Sequence, residues 1–207
     1  MKYLGIILLL LSTAACASTK AVTENGDVVF LYPDGTWAYQ NPEAAPNKDI
    51  PTNSQSFSKP EQATFKLKSK TNNSAVWVDA ESWLFKKATN NVDAEYQFRL
   101  KGEDLYGMLI TEQIEVSPEV LAELALENAQ AFAPDMRITK QEYRTVNGLP
   151  LVYMEMQGTM KGINITYLGY YYSNDTGTTQ FVSYTGTRLT DKYRSDIDSL
   201  LNGFTTD

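Results

Sequence analysis

Between Leu149 and Gly186 the chain reads as three stretches of alternating character separated by short turns. On the first, Leu149, Leu151, Tyr153 and Glu155 share one side, and Val152, Met154 and Met156 the other. On the second, Ile163, Ile165, Tyr167 and Tyr171 point one way, and Leu168, Tyr170 and Tyr172 the other. A period of two marks β-strands, because successive side chains leave a strand on opposite sides. Neither side here is plainly polar, whereas a sheet with one wet face alternates more cleanly. The pattern predicts a central sheet with both faces covered, one by each helix or by loops.

The same reading extends outward. Tyr96, Phe98 and Leu100 alternate with Glu95, Gln97 and Arg99, and strands are also predicted around Phe65–Leu67, Ala75–Val78, Leu84–Ala88, Leu105–Val116 and Ile138–Val146. Gly107 suggests a bulge in its strand, and Asn90-Asn91 and Asn147-Gly148 suggest turns. Two segments switch to helical spacing. Ser117-Pro118-Glu119 supplies a cap, a first-turn proline and an acid ahead of Val120, Leu121, Leu124, Ala125 and Asn128, and Pro134 closes the run. Thr190-Asp191 caps a helix carrying Tyr193, Ile197, Leu200 and Leu201, with Gly203 as its C′ glycine and Phe204 placed for the hydrophobic contact behind it. Strands, helix, four strands and helix predict an α+β fold with an antiparallel sheet flanked by helices.

Ahead of this domain the pattern changes twice. In residues 19–41, Asn25-Gly26 and Pro33-Asp34-Gly35 are turn signals around short β-branched and aromatic runs, which predicts a three-stranded meander. So small a unit is marginal alone. It either packs Phe30 and Trp37 on the main domain or binds a partner. Residues 42–62 hold Pro42, Pro46, Pro51 and Pro60 among polar residues, and read as a linker. The expected organisation is a signal peptide over 1–15, a modified N-terminus and meander over 16–41, the linker over 42–62, and the α+β domain over 63–207.

The first residues carry a targeting signal. Lys2 is followed by an apolar run from Leu4 to Leu11, too short for a span of roughly 20 residues, and then by small residues. Ala14-Ala15-Cys16 resembles the lipobox of bacterial lipoprotein signal peptides, and Cys16 is the chain's one cysteine. The resemblance implies acylation of Cys16, attachment through its acyl chains, and, with Ala17 rather than Asp following, retention at the outer membrane. Ordinary signal-peptidase cleavage after Ala15 or Ala17 is the alternative, leaving a free thiol or none.

Two further resemblances follow from the element pattern. Asn25-Gly26, Val28, Asp34-Gly35-Thr36 and Trp37 resemble a segment near the start of many uncharacterised bacterial envelope proteins, and this implies no chemistry. Trp83, the helix from Pro118, Val146-Asn147-Gly148, the Tyr170-Tyr171-Tyr172 strand and the closing Gly203-Phe204 resemble the PsbP-like family with its Mog-type and DcrB-type members. That likeness implies an α/β/α sandwich and an accessory or binding role, without a shared catalytic set.

Candidate chemistry is sparse. The chain has no histidine, which removes histidine-based nucleophilic catalysis and the commonest metal ligand. Neither phosphate-binding and dinucleotide motifs nor a zinc-helix motif is present, so no cofactor and no metal site is expected. A formal charge of −7 argues against nucleic acid as a partner. Asp191, Asp196 and Asp198 read as the solvated side of the last helix. The notable excess is tyrosine, 13 residues, with Tyr167, Tyr170, Tyr172 and Tyr184 on adjacent central strands. These rings either pack across strands or line a groove. The expectation is a non-enzymatic outer-membrane lipoprotein that binds an envelope protein partner. The alternative is small-ligand or glycan binding through the tyrosines, and a carboxylate-based hydrolase is the third reading.

Overall fold

The computed structural model describes residues 18–22, 28–33, 35, 37–40, 50–89, 91 and 93–207. The signal segment, Cys16 and the Asn25-Gly26 and Asn90 turn positions lie outside the described residues, as do the side chains of Trp37, Ala38 and Tyr39.

In chain order the elements are β1 (Thr19–Val22), β2 (Val28–Leu31), β3 (Trp37–Tyr39), β4 (Thr52–Phe57), β5 (Phe65–Lys68), β6 (Ser74–Val78), β7 (Trp83–Lys87), β8 (Ala94–Leu100) and β9 (Leu105–Glu112). Then come α1 (Pro118–Phe132), β10 (Arg137–Val146), β11 (Leu149–Met160), β12 (Ile163–Asn174), β13 (Gly177–Gly186), a 3-10 turn (Thr187–Leu189), α2 (Arg194–Leu201) and β14 (Phe204–Thr206). The fold is α+β. Its centre is an eight-stranded sheet in the order β4-β10-β11-β12-β13-β9-β8-β7, antiparallel throughout except for β4, which runs parallel to β10.

The three central strands pair as their alternation requires, and tight turns set their register. Asn147-Gly148 and Lys161-Gly162 each place two successive residues at positive φ, 50° and 81° in the first and 50° and 80° in the second. That is the pair of conformations a two-residue hairpin needs. Helix α1 starts as read: Ser117 Oγ accepts from the Val120 amide at 3.3 Å, with Pro118 in the first turn.

Both sheet faces are closed. On one, Val120, Leu121 and Ala125 of α1 pack on Val152, Met154, Met156 and Tyr171. The meander β1-β2-β3 joins this face: Val22 and Val28 pack against the same cluster, and Lys20 and Gln40 both donate to Glu127 of α1. On the other face, α2 and a small sheet in the order β14-β6-β5 cover Leu151, Tyr153, Leu168, Tyr170 and Phe181.

Four local expectations are corrected or refined. Residues 42–62 are not wholly a linker, because 52–57 form β4 at the sheet edge, where the Tyr143 amide donates to the Pro51 carbonyl. Its side chains are mostly exposed, so no apolar alternation announced it. Gly107 makes no bulge. It pairs in register with Ser183, and a Cβ there would crowd Leu200 at 3.1 Å, so the glycine admits α2 to the sheet. Gly203 does follow the C-cap Asn202 at C′, but without the positive φ usual for a glycine there. A side chain there would collide with the Trp77 carbonyl, and its own carbonyl accepts from the Trp77 amide at 2.8 Å, which docks β14 on β6. Finally, α2 begins at Arg194 rather than at Thr190-Asp191, and its N-cap Tyr193 makes no side-chain cap.

Candidate functional site

The four tyrosines do not form one surface. Tyr170 and Tyr172 lie on the α2 face and are 1% and 9% exposed. Tyr170 meets the Tyr153 ring edge-on at 5.8 Å and donates to Asn202 Oδ1 at 2.7 Å, while Tyr172 packs edge-on against Phe204 at 5.4 Å. These two are core residues. Tyr167 and Tyr184 are half-buried on the α1 face, in a row with Tyr106 whose ring centroids are 5.3 Å and 5.5 Å apart. The Arg99 guanidinium sits 5.4 Å from the centroid of Tyr106, at the end of the row. Burial, together with the neighbouring Tyr184 hydroxyl, pushes Tyr167 up to about 12, so at neutral pH it presents a neutral hydroxyl.

The most structured polar feature lies elsewhere. A cleft of about 590 Å³ opens on the α2 face between β10, β11 and α2, lined by Lys140, Arg144, Glu155, Arg194 and Asp198, with Thr139 and Gln157 completing its walls. Strand periodicity builds two of its sides. Lys140, Glu142 and Arg144 alternate on β10, and Tyr153, Glu155 and Gln157 on β11. A register shift between Ile138 and Lys140 accompanies the turn of Thr139 into the cleft. The third side comes from α2, where Arg194 and Asp198 stand four residues apart on one helix face.

Arg144 is the centre of this arrangement. Its side chain is 8% exposed, and its guanidinium lies 3.5 Å from the Tyr153 ring centroid and 4.6 Å from that of Phe57 on β4. Its Nε donates to Glu142 Oε1 at 2.6 Å, and one terminal nitrogen reaches the Tyr170 hydroxyl at 3.4 Å. Glu142 also accepts from Lys140 at 3.2 Å and from Asn53 of β4 at 3.1 Å. Beside them Glu155 accepts from the Tyr153 hydroxyl at 2.6 Å and from Arg194 at 2.9 Å. A planar guanidinium stacked on a ring and tied to a carboxylate has a fixed direction for its remaining donors.

Electrostatics separates the carboxyls. Burial works against the Glu142 anion. Hydrogen bonds from Asn53 and Arg144, the Arg144 charge and Lys140 outweigh it, and hold Glu142 below the ordinary carboxylate range. Asp198 behaves oppositely. Burial pushes it up, and the charges of Arg194 and Arg144 offset this only in part. Its carboxylate takes part in no hydrogen bond or ion pair of the described network. The expected solvated helix side of Asp191, Asp196 and Asp198 is therefore not formed: Asp191 is exposed but precedes α2, and Asp198 points elsewhere. It is half-buried over the cleft, because Ile197 and Leu201 turn the neighbouring positions 194 and 198 toward the sheet. The period-two run Lys140-Glu142-Arg144 and the Arg194/Asp198 spacing were the available sequence signals. Both look like ordinary solvated charge until the covering helix and β4 are placed. Among the described residues no three metal-ligating side chains converge, and no helix is long and apolar enough to cross a membrane.

No family model matches the sequence, and no curated protein matches it. Solved structures do resemble it. Cyanobacterial PsbP (CyanoP) from Synechocystis sp. PCC 6803 superposes with a TM-score of 0.55 at 12% identity, over 69% of this chain and 92% of that one. A protein of unknown function from Pseudomonas aeruginosa, PA94, gives 0.44 at 10% identity, over 69% and 96%. LpqN, involved in cell envelope biogenesis of Mycobacterium tuberculosis, gives 0.36 at 10% identity, over 93% and 92%. The first likeness shows a PsbP-like fold. At these identities fold alone is shared, and the two lower scores support no further comparison.

Proposed function

We propose that this chain is a non-enzymatic accessory module of the bacterial envelope that works by binding a protein partner. In this reading it is tethered to the outer membrane through acyl chains on Cys16 and faces the periplasm. The observation that carries the binding role is the cleft. Its arginines are already ion-paired and held in place, which suits recognition of a polar group. The docked meander supports the anchoring role. Thr19 is the third residue after Cys16, a reach of roughly 10 Å, so an acylated Cys16 would hold the folded body close to the bilayer. A palmitate analogue is expected to label the wild-type chain and not Cys16→Ser. Affinity capture from envelopes is expected to recover a partner lost from Arg194→Gln; equal recovery with that variant, or recovery no greater than with a bare-matrix control, refutes the binding role at this site.

A second reading, glycan or small-ligand binding, keeps one observation in its favour: the half-buried row of Tyr106, Tyr184 and Tyr167. Stacked rings of this kind suit sugar or aromatic faces. Tyr184→Ala would abolish such binding, and a ligand affinity indifferent to that change would end the idea.

A further inference from the structure

We infer that the cleft between β10, β11 and α2 is an oxyanion site, taking the carboxylate or phosphate group of a small ligand against Arg144, Arg194 and Lys140. The inference deepens the binding role proposed above, and it rests on that role only in using the same cleft.

The chain as a whole is acidic, with 25 Asp and Glu against 18 Lys and Arg. Three cations and two carboxylates line the cleft, so its wall runs against the charge of the molecule. The donors are only partly used. Arg144 spends Nε on Glu142 and one terminal nitrogen on a long contact to Tyr170. Its other terminal nitrogen has no partner in the described network. Arg194 spends one terminal nitrogen on Glu155 at 2.9 Å and the Tyr153 hydroxyl at 3.3 Å, and the other on a long contact to Glu155 at 3.5 Å, while its Nε has no partner in the described network. Lys140 gives one of its three donors to Glu142 at 3.2 Å and is 47% exposed at the rim.

A guanidinium can deliver five donors, and two oriented guanidinium groups sharing one concavity match the geometry of an oxyanion. The walls behind them are aromatic, Tyr153 and Phe57, so the positive potential is focused toward the opening instead of being dispersed in water. Glu142 and Glu155 do not cancel this. Glu142 lies outside the lining and Glu155 within it, but each is bonded to a cation and fixes where that cation's remaining N–H groups point. Asp198 is the one lining carboxylate without an ion pair. It faces Arg194 from its own helix, Lys140 and Arg144 from β10, and Glu155 from β11. Ionised, it opposes an anion; protonated, it offers a further donor. It also provides an acceptor for a hydroxyl or amine next to the anionic group of a ligand.

The test uses the full chain in detergent micelles, titrated with inorganic phosphate and separately with acetate, against chloride at matched ionic strength. The readout is the arginine side-chain N–H resonances. Saturable shifts of Arg144 and Arg194 at millimolar phosphate or acetate are expected, absent with chloride. The tighter of the two anions tells a phosphate ligand from a carboxylate. Arg194→Gln should weaken binding roughly tenfold, the loss of one charge-assisted hydrogen bond. Lys140→Gln should weaken it about threefold, as befits a more exposed charge, and Asp198→Asn should tighten it. Should Arg194→Gln fold poorly, Lys140→Gln and Asp198→Asn still decide, because both positions are partly exposed. Shifts that follow ionic strength alone, or affinities indifferent to these variants, overturn the inference. Neither outcome depends on partner capture: a chain that binds phosphate and captures nothing keeps this site and loses the proposed protein partner.

Discussion

One sheet is closed in two different ways. On the α1 face the contact is apolar and rich in methionine: Met154, Met156 and Val152 against Leu121, Ala122 and Ala125. Polar ties occur at its rim, where the Tyr143 hydroxyl donates to Glu119 at 2.6 Å and the meander reaches Glu127. On the α2 face aromatic side chains dominate, and the core runs without a break into the Arg144-Glu142 pair. The strands are the same. Only the parity of β10 and β11 decides which face receives Tyr143 or Arg144, Met154 or Tyr153. An apolar face holds the fold and an N-terminal segment. A face with buried charge sacrifices stability for direction, since a buried pair gains little over an apolar replacement but fails badly when split.

The sharpest way to break the comparison is to split that pair. Arg144→Met leaves Glu142 partly buried with Lys140 and Asn53 as its remaining partners. Loss of one member of a buried pair costs about 3–5 kcal/mol, readable by urea unfolding. Glu142→Leu added to Arg144→Met should recover much of the loss. A single-variant loss below about 1 kcal/mol would mean that the cluster behaves as a surface pair and that the two faces are not distinct.

Next in size is Leu121→Ala on the α1 face. Leu121 is 3% exposed, and a cavity of this kind costs about 3 kcal/mol. The arginine resonances of the cleft should not move. Combined with Arg144→Met the two losses should add to within about 0.5 kcal/mol, because the sites share no partner across the sheet. Marked non-additivity would show the faces coupled through the strands. Smaller again is Glu127→Ala, which removes the bonds from Lys20 and Gln40. Ion pairs this exposed contribute at most about 1 kcal/mol. The sensitive readout is faster amide exchange in β1 and β3 with no change elsewhere.

The asymmetry also explains what could be read in advance. Strand alternation around Tyr153 and Tyr170, the Ser117-Pro118 helix start and the closing apolar spacing from Tyr193 to Leu201 place the sheet and both covering helices, because burial imposes a period that sequence displays. The cleft escapes the same logic. Lys140, Glu142 and Arg144 alternate like solvated charges, and what buries Arg144 is Phe57, on an edge strand with hardly any apolar signal. A parallel pairing such as β4-β10 joins segments more than eighty residues apart, so no local pattern announces it. Asp198 is hidden for a related reason: it flanks the apolar stripe of Ile197 and Leu201 on α2, and that flank is covered only because β10 and β11 lie beside it. For Tyr170 and Tyr172 the sequence displays aromatic richness but not which helix lies over them.

The smallest effect separates two carboxyls within the α2 face, and it turns on sign. Glu142 titrates below its unfolded value of 4.5, so its contribution is complete above that value and is lost as pH falls through the lower folded one. Asp198 titrates above its unfolded value of 3.8, with burial the main cause. Between those two values the folded chain holds a proton that the unfolded chain has released, so stability rises as pH falls through the folded value. At neutral pH the ionised Asp198 is therefore a cost. Asp198→Asn should raise the melting temperature slightly near neutral pH, by a few tenths of a kcal/mol for a half-buried group still screened by solvent, and the gain should vanish below about pH 3.8. Glu142→Gln should lower it at neutral pH, with the difference shrinking as acid is added. If Asp198→Asn instead destabilises at neutral pH, the guanidinium groups of Arg194 and Arg144 outweigh burial. The carboxylate is then part of the ion-paired network, and the cleft has less room for an external anion.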